Sequence, residues 1–130
     1  RLNRRTEMTP LSRAPLEDFS FVLNDYLALA QYGNLPGFAD AGADTVEAIL
    51  AEAGRIAEKV LLPLNEPGDR EGCTYDAKSK TVATPAGFKA AYKTFAEGGW
   101  TALAADPDFG GQGLPSLVGT AVSKIFCAAN

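Results

Sequence analysis

The chain is 130 residues long and carries 12 Lys and Arg against 16 Asp and Glu, a formal net charge of −4, with no His. Without imidazole it forms no Ser-His-Asp triad, no Cys-His pair and no His metal site. A sequence pI of about 4.8 with scattered basic residues leaves no footprint for nucleic-acid binding. No run approaches the ~18 consecutive apolar residues of a membrane span, and the length suits one domain.

Ala supplies 22 of the residues, while large aliphatics are thin. Ala favours helices in close contact, so the composition predicts an all-α fold whose core needs tight helix packing or a partner surface. Cys73 and Cys127 lack disulfide-framework and metal spacing, and read as free thiols in a reducing, cytoplasmic setting. Residues 1–13 read as a flexible leader or an artificial remnant, with Met8 as a plausible natural start. They are rich in Arg, but Glu7 and the lack of an amphipathic face argue against a transit peptide.

From Pro15 the spacing of Phe19, Val22, Leu23, Tyr26, Leu27 and Ala30 predicts an amphipathic helix, opened by Pro15, Glu17 and Asp18 and stopped by Gly33 and Pro36-Gly37. It belongs to an extension over residues 14–41. A second helix is expected with Asp44 and Glu47 as a capping pair, and Val46, Ile49, Leu50, Ala53, Ile56, Ala57, Val60, Leu61 and Leu64 as its apolar face. Arg55 stands three residues from both Glu52 and Glu58. Pro63 closes or kinks the last turn, and Asn65 to Gly68 reads as a turn. Thr74-Tyr75 and Thr81-Val82 flank a polar stretch and suit a small hairpin or an extended excursion near 73–84.

A third helix is predicted with Thr84 as cap, Pro85 in its first turn, Phe88, Tyr92 and Phe95 as its face, and Gly98-Gly99 as its end. The connector from Trp100 to Asp108 places one buried-looking Trp before the glycine loop Phe109 to Leu114. Pro115 then opens a last helix with Leu117, Val118, Ala121, Val122, Ile125 and Phe126 on its apolar face. That helix reads as unfinished at Asn130.

Candidate chemistry is sparse. Gly111-Gln-Gly-Leu-Pro-Ser116 has Ser where a dinucleotide fingerprint needs its third Gly, no apolar strand before it and no later acidic partner. The preferred reading is that its glycines allow a tight turn or a close backbone approach. Glu47, Glu52 and Glu58 fall at or near solvated helix faces. Asp69, Glu71 and Asp76 are spaced too irregularly for a calcium loop, and Asp106 and Asp108 flank Pro107 in a turn. Phe88, Tyr92, Phe95 and Trp100 read as packing rather than a base-stacking platform, and Cys127 as an inert core thiol. No residue is therefore assigned a catalytic, cofactor-binding or metal-ligating role.

The order of segments carries more. Gly98-Gly-Trp-Thr-Ala-Leu-Ala-Ala-Asp-Pro-Asp-Phe-Gly-Gly-Gln-Gly-Leu-Pro-Ser116 resembles the helix–loop–helix junction in the N-terminal helical domain of acyl-CoA dehydrogenases. Val60-Leu-Leu-Pro-Leu-Asn65, followed by Gly68-Asp69 and Gly72-Cys73, resembles the same domain upstream. Ala14-Pro-Leu-Glu-Asp-Phe-Ser-Phe-Val-Leu23 is similar to a short extension of the longer bacterial members. On this resemblance residues 42–130 are that helical domain, ending before the FAD-binding β-domain and the catalytic helical domain.

The resemblance implies an FAD-dependent α,β-dehydrogenation of an acyl-CoA thioester to the enoyl-CoA. A carboxylate removes the α-proton, the flavin accepts the β-hydride, and electrons pass to an electron-transfer flavoprotein. It also implies a homo-oligomer as the full-length enzyme, and an isolated stretch of 130 residues without catalytic base, FAD or activity. Lys124-Ile125 stands where the family commonly has two acidic residues, a departure from its pattern. The alternative reading is an autonomous helical protein-interaction module without enzymatic activity. A third is a family relative that uses the scaffold without dehydrogenation.

Overall fold

The computed structural model describes residues 13–130, so the expectations for the leader and Met8 lie outside the described residues. Five α-helices and one hairpin follow one another. The helices are α1 (Leu16–Ser20), α2 (Ala43–Ile56), α3 (Leu62–Glu71), α4 (Phe88–Glu97) and α5 (Ser116–Ala129), with strands β1 (Thr74–Asp76) and β2 (Thr81–Ala83) between α3 and α4. The fold is thus mainly helical with a small two-stranded excursion, as the Ala-rich composition predicts.

α2 and α5 form the most extensive contact between elements distant in the chain. Val46, Leu50 and Ala53 of α2 and Val118 and Val122 of α5 are essentially inaccessible to solvent. The contact is made largely of Ala and Val, whose short side chains let two helix backbones approach closely. α1 docks over the same pair. A side chain at Gly54 of α2 would press on Leu16 and Ala14, so this mid-helix glycine lets the amino-terminal segment lie flush.

The first predicted helix is shorter and differently faced than its spacing suggests. α1 continues into a π-helical turn, Phe21–Tyr26, closed by the Leu27 N–H donating to the Val22 carbonyl at 2.9 Å. Ala28 then takes a left-handed conformation with φ 49°, and a short 3₁₀ turn follows over Leu29–Tyr32. The wide turn rotates the later residues relative to an ideal helix. Leu23 and Leu29 enter the core, while Val22 and Tyr26 are exposed, Tyr26 at 78 %.

The second predicted helix is longer than expected. Gly42, extended, occupies the cap position, and Asp44 sits in the first turn instead of capping it. A π-helical turn over Ala57–Leu61 joins α2 to α3, which carries Pro63 in its first turn and Pro67 in its interior and runs through Asn65 to Gly68, the stretch expected as a turn. Gly68 is buried beneath Phe88; a Cβ at that position would meet the Phe88 ring. The helix is kept intact there because α4 needs a smooth surface to dock on. Two amide side chains tie this stretch to the end of α5: Asn65 donates to the Ala129 carbonyl at 3.3 Å and Asn130 to the Leu61 carbonyl at 3.1 Å.

The hairpin is as expected, with Tyr75 paired to Val82 across an antiparallel ladder. α4 begins later than expected, after Gly87 at φ 87°, and is not capped by Thr84. Phe88 and Phe95 pack inward, but Tyr92 is 69 % exposed and lies outside the core, a correction to the face drawn from spacing. Trp100 and Phe95 meet Phe126 of α5 edge-on, at 5.4 and 5.2 Å between ring centroids. Such edge contacts contribute about 0.5–1.5 kcal/mol each beyond area burial.

The weight of the α2–α5 contact is testable. Leu50→Ala should destabilise the protein by about 2–5 kcal/mol in denaturant titration, while Leu35→Ala at a half-exposed position should change it by less than about 0.5 kcal/mol.

Candidate functional site

The glycine loop is the feature of the sequence most suggestive of chemistry, and its backbone hydrogen bonds decide what it can do. Every N–H from Asp108 to Leu114 has a partner within the protein. Asp108 donates to Asp106 Oδ1 at 2.9 Å, and Phe109 and Gly111 donate to the Asp106 carbonyl at 3.0 Å. Gly110 donates to Pro107, Gln112 to Ala102, Gly113 to Ala105 and Leu114 to Leu103, all at 2.9–3.0 Å. A phosphate cradle needs free N–H groups directed at the anion. Here they are engaged in folding the loop onto the Trp100–Asp106 connector.

The glycines serve close approach. A Cβ at Gly111 would fall on the Ala105 carbonyl, and one at Gly37 on the Gly113 carbonyl, with Gly37 already at φ 79°. The loop is a brace joining the 33–41 turn to the connector. It also sets Phe109 at its tip, 88 % exposed. The expected reading of a tight turn with backbone contact holds. By the same geometry the loop does not fit the diphosphate of a flavin dinucleotide.

The carboxylates singled out by sequence are dispersed, each with its own local partner or facing solvent. Glu47 accepts from the Ser20 hydroxyl at 3.3 Å, tying α1 to α2. Glu52 pairs with Arg55 at 2.6 Å, and the hydrogen bond from that guanidinium holds its carboxyl below the usual range. Glu58, the other acidic neighbour of Arg55 in sequence, instead accepts the Ala14 N–H at 2.9 Å, so it anchors the start of the described chain. Glu71 accepts the Ala86 N–H at 3.2 Å. Asp76 accepts from the Ser79 hydroxyl at 2.6 Å and the Lys78 N–H at 2.9 Å; these bonds, Ser79 first, hold its carboxyl below the ordinary value and shape the hairpin turn. Asp69 and Asp108 are exposed, and Asp106 caps the turn that leads into the glycine loop. Among the described residues no group of acidic or thiol side chains has the arrangement of a metal site. No described helix is long and apolar enough to cross a membrane.

What the structure gathers is an apolar groove. On one side of α5, a pocket of about 290 Å³ lies between Leu61 and Leu64 of the α2–α3 region, α4 and Phe126. A second of about 350 Å³ lies between α5 and the connector at Trp100, Leu103 and Ala104. The two share Phe95, Phe126 and Cys127. Cys127 is exposed, not a core thiol as expected: the apolar run beside it belongs to the buried face of α5, and Cys127 follows on the open one. The signal for this face was present in the sequence as Gly119, Ser123 and Cys127, four residues apart. That spacing puts three small residues in line on one helix face. A separate, smaller pocket of about 70 Å³ lies beside Ala14 and Phe19, with Glu58 and Lys124 among its lining.

Comparison with known proteins adds what geometry alone does not. The chain is 32% identical over 118 residues to a 3-methylmercaptopropionyl-CoA dehydrogenase of Ruegeria pomeroyi, covering 91% of this chain and 20% of that protein. It is 30% identical over 118 residues to a broad-specificity linear acyl-CoA dehydrogenase of Mycobacterium tuberculosis, covering 91% of this chain and 19% of that protein. The chain therefore spans about a fifth of the length of the curated relatives it matches. No protein-family model matches it.

The brace predicts its own sensitivity. Gly37→Ala should destabilise by more than about 2 kcal/mol, from left-handed strain plus a backbone collision. Gly110→Ala shares the strain at φ 82° but meets open space, so it should cost only about 1–2 kcal/mol. Equilibrium unfolding of the two variants checks the order.

Proposed function

We propose that this chain, which belongs to the acyl-CoA dehydrogenase family, is one helical layer of a larger flavin enzyme. That enzyme converts an acyl-CoA thioester to the α,β-enoyl-CoA and hands electrons to an electron-transfer flavoprotein. The observation that carries the reading is the match of nine-tenths of the chain to two acyl-CoA dehydrogenases five times its length. On this reading residues 14–41 are an extension and 42–130 the helical domain proper. The catalytic base and the flavin site are supplied by polypeptide outside these residues. FAD provides the hydride chemistry there. The part played by this chain is to wall the enzyme's interior and exclude water.

The partner set of acyl-CoA and electron-transfer flavoprotein, a homo-oligomeric full-length enzyme and a cytoplasmic location follow the same resemblance. The glycine loop, whose N–H groups are engaged internally, supports assigning the flavin elsewhere. An autonomous interaction module is the competing reading, favoured by the open apolar groove beside α5.

The complete product of the gene separates the two. Purified, it should carry stoichiometric flavin by its visible absorbance and bleach on addition of an acyl-CoA. A complete product with no flavin contradicts the enzyme reading. Stoichiometric flavin on the 130 residues alone contradicts the division of labour.

A further inference from the structure

The groove beside α5 has a floor of small residues and walls of large ones. Gly119, Ser123 and Cys127 lie in a row with nothing large projecting from them, and Tyr92 and Trp100 stand on either side. From Gly119 to Asn130 the row spans about three turns, or roughly 16 Å at ~1.5 Å per residue. Small residues every fourth position let a second helix come within the ~8–10 Å axial distance of packed helices, and flanking aromatics fill the sides of such a contact. The floor carries no charge: the single charged residue of α5, Lys124, lines the separate pocket beside Ala14.

We propose that this groove is the seat of an apolar-faced helix supplied by the same polypeptide outside these 130 residues. The inference rests on reading the chain as part of a larger acyl-CoA dehydrogenase. The relatives have about four-fifths of their length outside the matching stretch, which gives a covalently linked occupant at high effective concentration. Docking there covers Phe95, Phe126 and Cys127 together. It thereby turns an exposed thiol into a buried one, while Cys73, exposed just before the hairpin, stays open.

The two cysteines make an internal comparison. The complete gene product is treated with N-ethylmaleimide and each site is followed by peptide mass spectrometry. Cys127 should react at least about 100-fold more slowly than Cys73, because it becomes accessible only on local opening. Ser123→Ala should keep that protection, and Ser123→Trp, which fills the floor, should abolish it with flavin content unchanged. Equal labelling of Cys127 and Cys73 in a flavin-loaded product overturns the groove proposal and leaves the enzyme reading standing. Absence of flavin instead overturns that reading. Protection that vanishes on dilution to monomer identifies a second copy as the occupant, and protection lost on removal of residues 1–12 identifies the leader; either result overturns the proposal.

Discussion

The contact between α2 and α5 is the constraint on which the rest depends. These helices are far apart in sequence, and their facing residues are mostly Ala and Val with few large side chains. Burying apolar area stabilises by roughly 25 cal/mol per Å², so small side chains contribute little each and the backbones must come close for the sum to suffice. That closeness constrains everything packed around them. α1 crosses at Gly54, where a larger residue would hold it off, and Phe88 of α4 settles on Gly68 for the same reason. The exposed ion pairs Arg55–Glu52, Arg70–Glu66 and Lys93–Glu97 decorate this arrangement; pairs of this kind contribute about 0–1 kcal/mol.

The glycine loop follows from the same economy of space. A nucleotide-binding loop leaves its N–H groups free, whereas this one directs each of them into the connector, so its work is architectural. It holds Leu103 and Leu114 in register against the core, where both are buried. It also joins the turn before α2 to the turn before α5 through Gly37 and Gly113. The most family-like stretch of the sequence is thus the part that fixes where α5 begins. This is how a motif can mark a family while carrying none of its reacting groups.

Much of the fold was legible. The periodicity of α5, the hairpin and the glycine stops all appear where local physics puts them. The misses have particular causes. Two π-helical turns, Phe21–Tyr26 and Ala57–Leu61, have no compositional signature, and the first turns Val22 and Tyr26 away from the core. Pro63 and Pro67 locally favour ending the helix, yet tertiary packing of Phe88 on Gly68 carries α3 through both. Tyr92 and Cys127 were assigned to the core because their neighbours belong there; one step around a helix is enough to put a residue on the opposite side. The groove they border could be found in the spacing of Gly119, Ser123 and Cys127, but only once α5 was known to leave that face uncovered.

Amide hydrogen exchange measured residue by residue tests the central claim most directly. If the α2–α5 contact holds the fold, the amides around Leu50, Ala53, Val122 and Ile125 exchange together and slowest, through global unfolding, while the 74–83 hairpin and the 29–40 turns open locally and far faster. Exchange of α2 or α5 at the rate of the hairpin would contradict the account.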